Sequence, residues 1–154
     1  MSEHKNAIKR LLSGLALIFG TVSQAEVRQF DVVSVESPAF DGRTFGDVGQ
    51  YQKITAKVTI AIDPDHKLNQ GIVDLDIAPV NADGLVEAVA DVVILRPVNL
   101  AKGSGRIFYE VLNRGDKISF IMMNDAPWIA YYTGLDVANG HLMNEGYTVV
   151  WSGW

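Results

Sequence analysis

The sequence predicts an α/β fold in which an antiparallel β-meander leads into a parallel strand–helix–strand unit. Three stretches, residues 54–62, 71–77 and 85–95, alternate apolar and polar side chains with period two and are joined by short turns. Further along, two nearly continuous apolar runs, 107–112 and 147–151, are separated by enough chain to cross over between parallel strands. The 154-residue chain is 48% hydrophobic and 20% charged, which is typical of a globular domain.

The first residues have the pattern of a secretory signal peptide. A basic segment at residues 5–10 precedes an apolar segment at 11–22, and residues 23–25, Ser-Gln-Ala, supply the small side chains of a cleavage site. We expect cleavage after Ala25 and a periplasmic or secreted product. The apolar segment is shorter than the roughly 20 residues that a membrane span needs, so no stable span is expected after cleavage. An uncleaved anchor and an ordinary amphipathic helix are the alternatives.

Removal of this leader would make the chain more acidic. The whole chain has a formal net charge of −5, and the leader carries +2 from Lys5, Lys9 and Arg10 against Glu3, which leaves −7. Such a chain has no excess of cations to neutralise phosphates, so we expect no nucleic-acid partner. The absence of Cys excludes disulfides, thiolate metal ligands and a Cys nucleophile.

The meander is predicted strand by strand. Residues 32–35 suggest one short strand before Pro38. In 54–62 every second residue is apolar, which indicates a half-buried strand, and residues 71–77 repeat the pattern. The strand at 85–95 follows a turn and ends before a proline, which cannot donate to a ladder.

The second half predicts buried strands and short helices. Residues 107–112 and 147–151 are expected to be strands covered on both faces. A helix is expected at 117–123 with Asp116 as its N-cap, and another at 137–145.

The strand at 147–151 also bears on domain organisation. A domain seldom ends on its own core strand. Residues 26–154 are therefore expected to be the incomplete N-terminal part of a larger domain, and the last strand is expected to present an exposed, aggregation-prone edge.

Five segments, taken together and in order, resemble one bacterial family. They are PAFDGRTFG (38–46), IVDLDIAP (72–79), NADGLVE (81–87), FYEVLNRG (108–115) and GHLMNEGYTVVWSGW (140–154). The chain resembles the N-terminal portion of the bacterial alpha/beta hydrolase domain-containing protein family, whose members are much longer. This resemblance implies a truncated α/β-hydrolase-like sheet, in which 107–112 is the third strand and 147–151 the fourth.

The resemblance implies hydrolysis of a small-molecule ester or amide by a full-length relative. That chemistry needs a nucleophile on a G-x-S-x-G turn, followed by an acid and a His, and the chain has no such turn. No catalytic residue is therefore assigned, and no cofactor or metal is expected. In this fold one oxyanion-hole donor comes from the loop after the third strand, which makes Asn113, Arg114 and Gly115 the candidates. The alternative is an ordinary strand-ending turn with a solvated or paired Arg114.

Other chemistry-bearing residues favour structural interpretations. His66 is expected in a solvated turn, and His141 as a half-buried structural residue on a short helix. Asp74 and Asp76 are expected on the polar face of one strand rather than in a Ca²⁺ or acid–base site. The aromatic cluster at 128–132 is expected to pack against the remainder of a larger protein rather than to line a pocket.

The sequence thus supports two functional hypotheses. The first is the N-terminal segment of an exported α/β-hydrolase-like protein that is inactive alone. The second is a small exported β-rich binding or structural module without catalysis.

Overall fold

A computed structural model describes residues 25–112, 115–128 and 136–153. These residues form six strands and two short α-helices: β1 (Ala25–Glu36), β2 (Thr44–Phe45), β3 (Gly49–Ile62), β4 (Val86–Pro97), β5 (Ile107–Val111), α1 (Ser119–Asn124), α2 (His141–Asn144) and β6 (Thr148–Ser152). Three single 3₁₀ turns, Phe40–Gly42, Leu75–Ile77 and Leu100–Lys102, lie in the connections.

The strands form one mixed, mostly antiparallel sheet in the order β1-β3-β4-β6-β5, and β2 pairs separately with the start of β3. The pairs β1–β3, β3–β4 and β4–β6 are antiparallel, whereas the pair β5–β6 is parallel. An antiparallel meander and a parallel pair are both present, although one strand of the meander is not the predicted one. The described residues contain more strand and less helix than the sequence indicated.

The meander consists of β1, β3 and β4, and residues 71–77 contribute no strand to it. That stretch forms turns that end in the 3₁₀ turn Leu75–Ile77, and Asp74 has a left-handed φ of +60°. Val73 is 84% exposed, so the alternation there does not mark a buried face. Successive main-chain bonds from Asn69 to His66 (2.8 Å) and from Ile72 to Asn69 (2.9 Å) hold this segment in turns. The strand prediction at 71–77 is therefore wrong.

β1 is much longer than the predicted short strand, and two register shifts interrupt its period-two alternation. The shifts lie between Val27 and Gln29 and between Val32 and Ser34. Each inserts one extra residue, as a β-bulge does. The bulges bring Val27, Phe30, Val32 and Val35 to the same face, although the spacings from Val27 to Phe30 and from Val32 to Val35 are three residues.

The last strand, β6, lies inside the sheet. It pairs with β4 on one side and with β5 on the other, and Val149 and Trp151 are fully buried. The expectation of an exposed edge at 147–151 is therefore wrong. β5 is an edge strand of the described sheet instead, and Ile107 is 68% exposed, so the predicted burial of 107–112 on both faces is also wrong.

The two α-helices are shorter than predicted. α1 begins at Ser119, and its N-cap is Ile118 rather than Asp116. α2 begins only after Gly140, whose φ of +71° is left-handed and whose added Cβ would lie 2.8 Å from the Phe45 ring. Gly146 has a φ of +72° and ends the helix as expected of a C-terminal glycine.

Both helices pack on one face of the sheet, here called the helical face. Its buried cluster joins β3, β4 and β6 to the helices and includes Tyr51, Leu95, Phe120, Leu142 and Trp151. The Tyr51 hydroxyl donates to the main-chain oxygens of Met143 (3.1 Å) and Tyr147 (2.9 Å). Burial raises the pKa of the Tyr51 phenol, which therefore remains a neutral donor.

The helical face is polar where no helix covers it. Asp31, Lys57 and Asp91 are register partners across β1, β3 and β4, and Lys57 Nζ lies 3.0 Å from Asp91 Oδ1. Lys53 Nζ lies 2.8 Å from Glu36 Oε2, and this hydrogen bond lowers the pKa of the Glu36 carboxyl. These strands therefore present charge on this face.

Candidate functional site

A cavity of about 270 Å³ lies at the carboxyl ends of the parallel strands β5 and β6. Leu112 and Gly153, which follow these strands, both line it. Trp151 forms part of its apolar wall, and Asp91 and Lys117 are its charged residues. The carboxyl edge of parallel strands is the usual position of ligand sites in α/β sheets.

Gly115 is the one oxyanion-hole candidate within the described residues, since Asn113 and Arg114 lie outside them. It lines the cavity and is exposed. Its φ of +86° is left-handed, and a Cβ placed on it would meet no atom within 4 Å. Glycine is therefore required here by backbone conformation rather than by lack of space.

The Glu110 carboxylate connects, through hydrogen bonds, the segments that form the cavity wall. Its Oε1 accepts from the Ile118 N–H (2.9 Å), and its Oε2 accepts from the Ser119 N–H (3.0 Å) and from Trp151 Nε1 (2.8 Å). Trp151 Nε1 also donates to Ser119 Oγ at 3.0 Å. Glu110 thus supplies the first N–H groups of α1 with an acceptor and joins that helix to both parallel strands.

Two charged residues, Lys117 and Asp91, line the cavity. Lys117 Nζ lies 6.0 Å from the centroid of the Trp151 ring, within the range of a cation–π contact. The main-chain oxygen of Asp91 accepts from the Gly153 N–H at 2.7 Å, which holds β4 against the end of β6. The cavity therefore offers a cation and an apolar wall to a small polar molecule, whereas the Asp91 carboxylate is already paired with Lys57 Nζ at 3.0 Å.

The described residues contain no Ser–His hydrogen bond of the kind that activates a nucleophile. Ser104 Oγ donates to the main-chain oxygen of Gly146 at 3.0 Å, and the Ser119 hydroxyl accepts from Trp151. Both hydroxyls therefore have structural roles. The cavity can hold a ligand, but these residues alone do not provide acyl-transfer chemistry.

The structure separates the other predicted residues from this cavity. His66 lies in a turn as expected, and its Nδ1 accepts from the Leu68 N–H at 3.3 Å. His141 is exposed, so its predicted half-burial is wrong. Trp128 is 71% exposed, and the rest of the aromatic cluster, 129–132, lies outside the described residues.

Asp74 and Asp76 border a second cavity, of about 470 Å³, in the connection between β3 and β4. They do not share a strand face, because this connection is built of turns. Within the described ranges no group of three potential metal-ligating side chains is close enough to hold an ion. These carboxylates belong to a polar loop surface.

Sequence reasoning missed the roles of Glu110, Asp91 and Lys117. A signal for Glu110 was present, since it is the one charged residue in the apolar run 107–112. Asp91 and Lys117 gave no such signal, because their approach depends on the order β4-β6-β5.

Within the described ranges, no helix is long and apolar enough to cross a membrane. Comparison of the chain with protein-family models, with curated proteins and with solved structures finds no match.

Proposed function

We propose that this chain is the N-terminal segment of an exported α/β-hydrolase-like protein that acts on esters or amides. The observation that carries the proposal is the position of Gly115, which lines a cavity at the carboxyl ends of the parallel pair β5 and β6. In α/β-hydrolases the loop after the third strand supplies one oxyanion-hole N–H at this edge. The leader-like residues before Glu26 support the export part of the proposal.

In the proposed mechanism, Gly115 would direct a main-chain N–H at the developing oxyanion of the substrate. Lys117 would add positive charge beside it, and Trp151 would exclude water from one side of the scissile group. Glu110 would act as a positioning residue, because it fixes the segment that follows Gly115. The nucleophile, acid and His would come from residues that follow this segment in a longer protein.

The first experiment reads the DNA immediately downstream of the coding region and assays the extended product. The proposal expects an open frame encoding G-x-S-x-G and a product that hydrolyses a short-chain activated ester. Unrelated downstream sequence, or an extended product without esterase activity, would contradict it.

A matched pair of variants in the extended product tests the role of Gly115. Gly115→Val should lower kcat by about 100-fold with little change in KM, as loss of an oxyanion-hole donor does. Gly105→Val is the control, because Gly105 also has a left-handed φ (+71°) and open space for a Cβ, but precedes β5 at its other end. Equal losses in the two variants would show that backbone strain, not the oxyanion, is responsible.

A second candidate function is a β-rich binding module without catalysis. The observation in its favour is the broad apolar sheet face opposite the helices, on which Phe30 is 47% and Val32 is 55% exposed. The DNA test above separates the two candidates, since a module needs no downstream elbow.

A further inference from the structure

The candidate cavity has one positive charge that no anion compensates. Of the described residues that line it, only Asp91 and Lys117 are charged. The Asp91 carboxylate is paired with Lys57, which does not line the cavity. The Lys117 ammonium forms no ion pair and no hydrogen bond with any residue that the structure describes. The lining is therefore cationic at Lys117.

The carboxylates close to Lys117 in the chain do not supply the missing anion. Glu110 does not line the cavity, and both of its oxygens already accept hydrogen bonds. Asp116 is not a lining residue either. The Lys117 ammonium lies instead 6.0 Å from the centroid of the Trp151 ring. Beside such an apolar surface an ammonium attracts an anion more strongly than in open water, because the local dielectric is lower.

The main-chain N–H of Gly115 is a second donor in the same lining. Within the described ranges it donates to no acceptor. The Gly153 N–H, by contrast, is already used, since it donates to the main-chain oxygen of Asp91. The unpaired donors of the described lining are thus the Gly115 N–H and the Lys117 ammonium, and anionic oxygens are the strongest acceptors for such groups.

We propose that the cavity binds a small carboxylate and that Lys117 determines this specificity. The cavity volume of about 270 Å³ corresponds to about nine water molecules and lies below the range of pockets for drug-sized ligands. The ligand is therefore a molecule of about six to ten non-hydrogen atoms. Combined with the proposed hydrolase function, on which this part rests, the substrate is a small ester or amide that also carries a carboxylate.

The two donors then act on different parts of one substrate. Lys117 pairs with the carboxylate, which keeps its charge throughout, whereas the Gly115 N–H meets the charge that develops at the scissile carbonyl. In the hydrolysis of an ester, the oxygen of water joins the acyl carbon and the bond from that carbon to the alkoxy oxygen breaks, which gives an acid and an alcohol. The substrate carboxylate takes no part in this exchange, so Lys117 determines which ester binds and not which bond breaks.

The first test measures binding to the purified chain and needs no turnover. Butyrate, butyramide and butylamine are similar in size and are anionic, neutral and cationic. NMR titrations that follow the Gly115 N–H and the Trp151 indole N–H should show butyrate binding at least about tenfold more tightly than the other two, because its hydrogen bonds are charge-assisted. Equal affinities for butyrate and butyramide, tighter binding of butylamine, or no binding of butyrate at about 50 mM would each overturn the proposal.

A matched set of variants tests whether Lys117 is responsible. Lys117→Met should weaken butyrate binding by at least about tenfold and change butyramide binding by less than about threefold, and Lys117→Arg should retain the preference for butyrate. Lys102→Met is the control, because it removes an exposed lysine in the turn Leu100–Lys102, outside the cavity lining. An equal loss of preference in Lys102→Met would show that net charge attracts the anion, which refutes the assigned site. Circular dichroism of each variant verifies that the fold is retained.

The second test compares two esters in the extended product. Monomethyl glutarate and its neutral monoamide analogue differ only in the carboxylate. The kcat/KM should be at least about tenfold higher for monomethyl glutarate, and Lys117→Met should remove this difference. If Lys117→Met slows both esters equally, the lysine acts on the oxyanion only and the proposal is wrong. If neither ester is hydrolysed while the chain still binds butyrate through Lys117, the hydrolase function fails and the carboxylate site stands.

Discussion

Replacing Glu110 should loosen the wall of the candidate site and destabilise the fold. Its carboxylate accepts three hydrogen bonds, from Ile118, Ser119 and Trp151. In Glu110→Ala, the exposed Ile118 N–H regains water, and Trp151 Nε1 keeps its bond to Ser119 Oγ. The Ser119 N–H has no such replacement, since Ser119 is only 3% exposed. The loss is therefore about one charge-assisted hydrogen bond, or about 2–3 kcal/mol.

Urea unfolding measures this loss when it is followed by tryptophan fluorescence, to which the fully buried Trp151 contributes. At 2–4 °C per kcal/mol for a chain of this size, the melting temperature should fall by about 4–12 °C. Glu110→Gln keeps one acceptor oxygen, so its melting temperature should lie between those of Glu110→Ala and the unaltered chain. The control Glu145→Ala, at an exposed position, should change stability by less than about 0.5 kcal/mol. A change in the stability of Glu110→Ala as small as that of the Glu145→Ala control would refute the role assigned to Glu110.

Four further outcomes are expected. Exported material should begin at Glu26, as read by N-terminal sequencing or intact mass; recovery of only the 154-residue form from the cytoplasm would contradict this. The chain alone should not hydrolyse a short-chain activated ester above background, because it lacks the G-x-S-x-G serine; activity abolished by Ser104→Ala would disprove that reasoning. Tyr51→Phe should cost about 1–3 kcal/mol in a denaturant titration, because two main-chain carbonyls lose their buried donor, and an unchanged midpoint would count against it. Gly146→Ala should destabilise the fold more than Gly84→Ala. Both glycines have positive φ, but only a Cβ at Gly146 would lie close to another atom, 2.8 Å from Ser104 N. Equal shifts in melting temperature for the two variants would contradict this expectation.

Part of the candidate site could be predicted from sequence, and part could not. Gly115 was a candidate because the family resemblance implies an oxyanion-hole donor in the loop that follows the run 107–112. Asp91 and Lys117 come from distant parts of the chain and meet at the cavity only because β4 and β5 flank β6. Local patterns carry no information about which strands become neighbours.

The sequence by itself determined the features that depend on near neighbours along the chain. The strands at 54–62 and 85–95, the turn at 81–84 and the helix stop at Gly146 follow from period-two burial and from glycine's access to positive φ. The broad class, an antiparallel meander beside a parallel pair, followed from these local signals and the length of the connections.

Only the tertiary structure decided which strands pair and which faces are covered. Residues 71–77 have the alternation of a strand but lie in turns, because β1 occupies the place beside β3. The bulges that give β1 an apolar face exist only relative to the register of β3. β6 is buried because β4 and β5 both pair with it. Strand pairing is a contact between residues far apart in the chain, so its energy is not visible in any short window of sequence.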